Sequence, residues 1–174
     1  MKKLLASAAL VAISATSLTA CGASADSRAR ASIKASLIKD SANSTTLPKY
    51  DDKAAGCVAD DIVGKIGVKQ LQTYGLIDSK GNGKDADLSS VHLSSTDAGT
   101  FASALVDCNS AMLTKVQSTF TDEVHATGAQ KTCIDKILNR DVAVKLFTGS
   151  FSGDDAAASS AITDHKAALA ACMH

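Results

Sequence analysis

The sequence predicts an all-α protein: a small helical domain that is cross-linked by disulfides. Apolar residues recur at spacings of three and four over 101–120, the period of an amphipathic helix. Strand signals are weak, since no run of alternating β-branched and aromatic residues exceeds a few positions. Four of the five cysteines lie well beyond the N-terminal region. These observations predict two similar helical units, preceded by a signal peptide and a tether.

The N-terminal segment has the organisation of an export signal. Lys2 and Lys3 precede an apolar, Ala-rich stretch over 4–18, and small residues follow it. This stretch is shorter than the roughly 20 apolar residues of a membrane-spanning helix. We therefore predict that residues 1–20 are a cleaved signal peptide. A plain secretory signal cut after Ala20 or Ala25 is the alternative.

The end of this signal resembles the lipobox of bacterial lipoproteins. Leu18, Thr19, Ala20 and Cys21 match its pattern of a leucine, a small or hydroxyl residue, a small residue and a cysteine. The resemblance implies that Cys21 carries a diacylglycerol thioether with palmitate-type acyl chains and becomes the first residue of the mature protein. Two acyl chains on one residue give stable anchoring. The implied location is the outer face of the cell membrane.

Residues 21–50 are expected to be a tether. Small residues follow Cys21, and Ile33, Leu37 and Ile38 have the spacing of one weakly amphipathic helix. A cluster of Ser, Thr and Asn with the single proline, Pro48, then indicates a linker. This pattern predicts that the compact helical domain spans 51–174.

The domain contains an internal repeat of one order of events, with units at about 51–120 and 121–174. Each unit opens with a cysteine, Cys57 or Cys133, at an apolar helix, and a second short helix follows. That second helix is expected to end at Gly75 in the first unit and at Gly149 in the second. A longer helix then ends in Ala-Leu-x-x-Cys, at Cys108 and at Cys172.

The repeat favours one disulfide pairing. If Cys21 carries lipid, four cysteines remain, and four cysteines allow three pairings. Folding each unit back on itself brings its first and last cysteine together, which favours Cys57–Cys108 and Cys133–Cys172. The alternative is Cys108–Cys133 with Cys57–Cys172. Either pairing is typical of an oxidising compartment outside the cytoplasm.

No metal site or cofactor is predicted. The loop over 78–89 partly matches a calcium-binding EF-hand loop, through Asp78, Asn82 and Gly83. Lys80 and Ser89 stand where oxygen ligands are needed, and weak calcium contact through Asp85 and Asp87 is the only alternative left at this loop. The cysteines lack the close spacing of zinc ligands.

The sequence offers no catalytic constellation, so we predict a protein that is not an enzyme. Ser36 and Lys39 match the Ser-x-x-Lys motif of penicillin-binding enzymes, but the motifs that accompany it are missing. Residues 149–153 partly match the Gly-x-Ser-x-Gly motif of serine hydrolases, but Phe151 stands where the serine belongs. The histidines are dispersed along the chain.

Composition disfavours nucleic acid as a partner, because basic and acidic residues balance at 18 each. Lipobox, four later cysteines and repeated short helices together resemble small, uncharacterised helical lipoproteins of actinobacterial type. That resemblance implies location and architecture only. The expected function is a non-enzymatic binding protein of the cell envelope, with the membrane as a partner through lipidated Cys21. One alternative is a small-molecule or lipid carrier with a cavity lined by Phe101, Met112 and Phe120, and another is an envelope hydrolase.

Overall fold

The computed structural model describes residues 24–45, 47–84 and 91–174. In these ranges it confirms the all-α prediction, with nine helices and one isolated antiparallel bridge between Ile77 and Gly83. The helices are α1 (Ala25–Asn43), α2 (Asp52–Lys65), α3 (Val68–Thr73), α4 (Ser95–Cys108), α5 (Ser110–Glu123), α6 (Gly128–Ile137), α7 (Arg140–Ser152), α8 (Asp155–Thr163) and α9 (Lys166–Ala171). The predicted signal peptide and Cys21 lie outside the described residues.

Helix α1 belongs to the compact fold, although its sequence suggests a tether. Ser24 caps the helix by accepting a hydrogen bond from the Ser27 amide, and Ile33 and Leu37 are buried in the core. Ser36 is also buried, and its hydroxyl donates to the Ser32 carbonyl one turn earlier. A serine that bonds to its own helix can be buried. The buried face of α1 therefore contains polar residues, which hides its burial in the sequence pattern. Helix α1, which precedes Asp51, is therefore packed into the larger core of the described residues.

Two ion pairs show that α1 runs antiparallel to α2. Arg30 lies 2.6 Å from the Asp60 carboxylate, and Lys34 lies 2.7 Å from that of Asp52. The partners of the α1 residues therefore run backwards along α2. These side chains are substantially exposed, and exposed pairs contribute little to stability, so apolar burial provides most of the energy that holds α1 in place.

The larger of two cores lies between α1, α2 and α4, with one face of α7 against it. Val58, Ile62 and Leu71 are almost fully buried in it. The first disulfide, Cys57–Cys108, joins α2 to the end of α4 with 5.6 Å between the Cα atoms. Sequence separation across this bond is 51 residues, so it closes a long loop and restricts the unfolded chain strongly.

The helical stripe over 101–120 is interrupted at Asn109, which separates α4 from α5. Asn109 has extended backbone angles, φ −138° and ψ 99°. Its side-chain oxygen accepts from the Ala111 amide, and its amide nitrogen donates to the Lys49 carbonyl. Asparagine is a favoured N-cap because its side chain satisfies a free helix amide. The residues of the stripe are therefore divided between two helices.

A smaller core lies between α6, α7 and α9. Its buried side chains are those of Ile134, Leu138, Val142, Leu169 and Cys172. The second disulfide, Cys133–Cys172, joins α6 to the residue after α9, again with 5.6 Å between Cα atoms. Both bonds follow the pairing that the repeat favoured.

The two units resemble each other in order but not in detail. The predicted boundary between residues 120 and 121 falls inside α5, and the next helix starts at Gly128. There the Thr127 amide donates to the Gln130 side chain, as in a capping box. The helix that leads to the last cysteine of the unit is α4 alone in the first unit, whereas α8 and α9 take its place in the second.

Gly149 does not end the second helix of its unit, as the sequence analysis expected. It is buried inside α7, which continues to Ser152 and ends at Gly153 with φ 72°. A Cβ on Gly149 would lie 2.6 Å from the Cα of Ala158 in α8. Gly149 therefore permits the close approach of α7 and α8, a packing role that its position in the sequence did not reveal.

Candidate functional site

The candidate site is the end of the fold at which the chain enters α1. Only Gly22, Ala23 and Ser24 separate Cys21 from Ala25, the first residue of α1. Cys21 itself lies outside the described residues. Its candidate role as a lipid anchor makes the surroundings of Ala25 the part of the domain nearest to the modification.

A loop that we call the hairpin loop (Leu76–Lys84) packs against the start of α1. The Ile77–Gly83 bridge closes it, and the Lys84 amide donates to the Leu76 carbonyl at 3.1 Å. Gly81, with φ 85°, is buried so close to Ala25 that a Cβ would overlap the Ala25 carbonyl. A larger residue at this position is therefore excluded both by its backbone conformation and by space.

Side chains of α1 also form hydrogen bonds with the hairpin loop. Arg28 Nε donates to the Lys80 carbonyl, and the Gly83 amide donates to Ser32 Oγ at 2.7 Å. These bonds come from residues one turn apart on a single face of α1. The loop is thus fixed to the first two turns of α1, although more than 50 residues separate the partners in sequence.

The Asp78 carboxylate organises the tip of the hairpin loop. Oδ1 accepts from the amides of Lys80 and Asn82, each at 2.8 Å, and Oδ2 accepts from the Asn82 side chain at 2.9 Å. Hydrogen bonds from Asn82 lower the pKa of Asp78 below its usual value. Both oxygens serve backbone and amide donors, so the loop uses Asp78 as a turn residue.

No metal cluster is found within the ranges that the structure describes. Asp85, Asp87 and Ser89 of the partly matching calcium motif lie outside those ranges. Of the motif positions that are described, Asp78 is engaged as above, and Lys80 is exposed with its cation at a ligand position.

The candidate site carries several cations. Arg28 lies on α1, and Lys80 and Lys84 are exposed on the hairpin loop. Asp26 adds a negative charge in the first turn of α1, where the helix dipole favours it. Basic side chains of this kind bind phosphate groups through charge-assisted hydrogen bonds.

The remaining predicted site residues, the four later cysteines, form the two disulfides. Cys57 is exposed, whereas Cys172 retains only 6% of its surface. Disulfides form and persist in oxidising compartments. The protein therefore belongs to an oxidising, extracytoplasmic environment.

An exposed ion pair joins the two halves of the fold. Arg140, at the start of α7, donates to both carboxylate oxygens of Asp107 on α4, at 2.6 and 2.7 Å. The Arg140 hydrogen bond lowers the pKa of Asp107. The bidentate geometry fixes α7 beside the first disulfide, because Asp107 precedes Cys108.

Two tyrosines have structural hydrogen bonds that the sequence analysis did not foresee. Buried Tyr50 donates to the Leu105 carbonyl at 3.3 Å, and burial raises its pKa. Tyr74 donates to Asp97 at 2.6 Å and accepts from the Ser94 amide at 3.0 Å, which closes the entry to α4. Single polar residues far apart in sequence carry no signal that would have predicted these contacts.

The residues proposed to line a carrier cavity are divided between the two cores. Phe101 and Met112 are buried in the larger core, and Phe120 packs against the smaller one. Phe151 contacts Phe101 edge-to-face, with 5.0 Å between ring centroids. This aromatic pair fills the contact between α4 and α7.

Among the described helices, none is long and apolar enough to cross a membrane. Comparison with known proteins gives no match, whether with family models, with curated proteins or with solved structures.

Proposed function

We propose that this chain is an exported domain that lipidated Cys21 anchors to the outer face of the cell membrane, where it binds another component of the envelope. The observation that carries the proposal is the complete lipobox match at 18–21, placed at the end of an apolar signal-like stretch. Helix α1 starts at Ala25, four residues after Cys21. Processing at this position would leave all of the described helices in the mature chain.

The disulfides support the exported location. Each disulfide cross-links helices at one of the two cores. A chain retained in a reducing compartment would lose both bonds. Removal of native disulfides from a small domain typically costs about 2–5 kcal/mol each. Because a typical domain is stable by only about 5–15 kcal/mol, we expect the fold to depend on export.

Three of the described carboxylates have structural partners. Asp78 orders a turn, Asp107 pairs with Arg140, and Asp97 accepts from Tyr74. Carboxylates occupied in this way hold the fold together. The proposal places the function on the surface of the domain and in the partner that this surface contacts.

Intact mass of the protein extracted from membranes tests the anchor. We expect a mature chain that begins at Cys21 and carries the mass of the lipid. Reduction should add four hydrogen atoms, two for each disulfide. A Cys21→Ser variant, which differs by one atom, is the matched control and should leave the membrane fraction. An unmodified Cys21 in the wild-type protein would refute the anchoring proposal.

Capture of partners from solubilised envelopes tests the binding role. Wild type and the Cys21→Ser variant keep the same folded domain, so a true partner of the domain should be recovered with both. A partner recovered only with the wild type would be bound through the lipid. Recovery of no reproducible partner by either form would contradict the binding role. Native mass spectrometry of the Cys21→Ser form would reveal a bound small molecule, the result expected of a carrier.

A further inference from the structure

The position of the candidate anchor restricts how the domain can stand on a membrane. Three residues lie between Cys21 and Ala25. A fully extended chain spans at most about 3.6 Å per residue, so Ala25 lies within about 14 Å of Cys21 in any conformation. The surface around Ala25 must therefore lie close to the headgroups of a membrane that holds Cys21.

The hairpin loop is the segment packed around Ala25. Gly81 abuts the Ala25 backbone, and its would-be Cβ lies 3.2 Å from Ala25 Cα. The bonds from Arg28 and Ser32 join the loop to the same two turns of α1. The hairpin loop and the start of α1 therefore form one surface. They cannot move apart without breaking these contacts.

We propose that this surface, the start of α1 with the hairpin loop, rests on the phosphate headgroups of the membrane that carries the anchor. The inference rests on the proposed lipidation of Cys21. Arg28, Lys80 and Lys84 supply cations to the surface. Basic residues beside a membrane attachment point are attracted to anionic lipid and act with an acyl anchor.

Among the described residues, two acidic groups lie on this surface beside its three cations. Asp26 stabilises the positive end of α1, and the Asp78 oxygens accept hydrogen bonds from within the loop. Asp85 and Asp87 follow Lys84 in the sequence, outside the described ranges. The short reach from Cys21 therefore carries the proposal, and the three cations identify the lipid chemistry that fits.

The opposite end of α1 is the natural reference point. Helix α1 has 19 residues, which gives a length of about 28 Å at 1.5 Å per residue. This length is about twice the reach from Cys21. If the domain stands on the proposed surface, residues in the last turn of α1 are held away from the headgroups.

Two cysteine variants of the full lipidated protein test this orientation. Ser79→Cys lies on the exposed tip of the hairpin loop, and Ala42→Cys lies exposed in the last turn of α1. Both changes are small, and intact mass will show whether the two native disulfides are kept. Each variant is labelled with a small fluorophore and reconstituted into phosphatidylglycerol–phosphatidylcholine vesicles that contain a nitroxide quencher on a fraction of the headgroups.

We expect the label at position 79 to be quenched at least about twofold more than the label at position 42, because about 25 Å of helix separates Ala25 from Ala42. Equal quenching would mean that the domain lies on its side, and stronger quenching at position 42 would mean that the other end faces the lipid. Either result overturns the proposal. Flotation of the protein with the vesicles, and its loss in the Cys21→Ser variant, reports the anchor separately, so failure of the anchor and failure of the orientation are distinguishable.

The charge contribution has its own control. In the Ser79→Cys background, Lys80→Gln with Lys84→Gln should lower quenching on anionic vesicles, and added salt should mimic the change. Lys53→Gln removes an exposed cation from α2 and should have no effect. If the hairpin lysines prove as neutral as Lys53, contact between this surface and phosphate is refuted.

Discussion

Replacement of Gly149 by alanine is expected to destabilise the fold, although alanine is the better helix former. Alanine in a helix is favoured over glycine by about 1 kcal/mol. The added Cβ of Gly149→Ala would lie 2.6 Å from the Cα and 2.8 Å from the Cβ of Ala158. These atoms of Ala158 cannot rotate away, because they are its backbone and Cβ. Helices α7 and α8 must therefore move apart.

The size of the effect follows from two opposed contributions. Overpacking of a well-packed contact typically costs about 1–3 kcal/mol, and a clash with backbone lies at the upper end of that range. Subtracting the gain in helix propensity leaves a net loss of about 1–2 kcal/mol. Gly56→Ala is the matched control, because Gly56 lies inside α2 and a Cβ there meets nothing within 4 Å. This variant should gain about 0.5–1 kcal/mol.

Urea unfolding followed by helical circular dichroism measures both variants, with the disulfides kept intact. The expected result is a lower midpoint for Gly149→Ala and a higher midpoint for Gly56→Ala, at unchanged slope. If both variants are stabilised alike, the close contact between Gly149 and Ala158 does not exist in solution, and the helix packing described here is wrong.

Partial reduction should open the first disulfide before the second, because Cys57 is exposed and Cys172 is 6% exposed. Mass mapping of alkylated cysteines gives the order of opening. The reverse order would contradict these burials. Arg140→Ala should lower the urea midpoint near neutral pH. Since pairing lowers the pKa of Asp107, that contribution is present above the ordinary aspartate value of 3.8 and is lost as the pH falls through the lower folded value. A difference between variant and wild type that persists in strong acid would refute this assignment. Tyr50→Phe should cost about 1 kcal/mol through the lost buried hydrogen bond. Because burial raises the pKa of Tyr50, wild-type stability should also fall as the pH rises past the ordinary tyrosine value of 10.0, and the variant should lose less; an equal loss would point to another group.

Sequence reasoning worked best where one physical cause acts locally. The apolar spacing over 101–120 reports burial along a helix, and α4 and α5 carry the predicted stripe. It could not locate the break at Asn109, because the apolar spacing in the sequence continues across that position. The break depends on whether the Asn109 side chain caps α5 or points to solvent, and the Lys49 carbonyl, distant in sequence, takes part in that choice.

Helix α1 was underestimated for a different reason. Its buried face includes Ala29, Ser36 and Ser41, which hydropathy counts as weakly apolar or polar. Ser41 is nearly fully buried because its hydroxyl both donates to Ile38 and accepts from the Tyr50 amide. Burial of small polar groups depends on partners that only the folded chain supplies. The docked hairpin loop of the candidate site was missed for the same reason, since its bonds to α1 span more than 50 residues.

The connectivity of the two disulfides has a consequence for how the chain is oxidised. Each bond joins a cysteine to the next one along the sequence, so the two closed loops neither overlap nor enclose one another. A polypeptide that crosses a membrane from its N-terminus presents its thiols one after another. If the proposed lipid blocks Cys21, the first pair can be complete before the second has emerged, and the native bonds can then form in order of arrival without an isomerase.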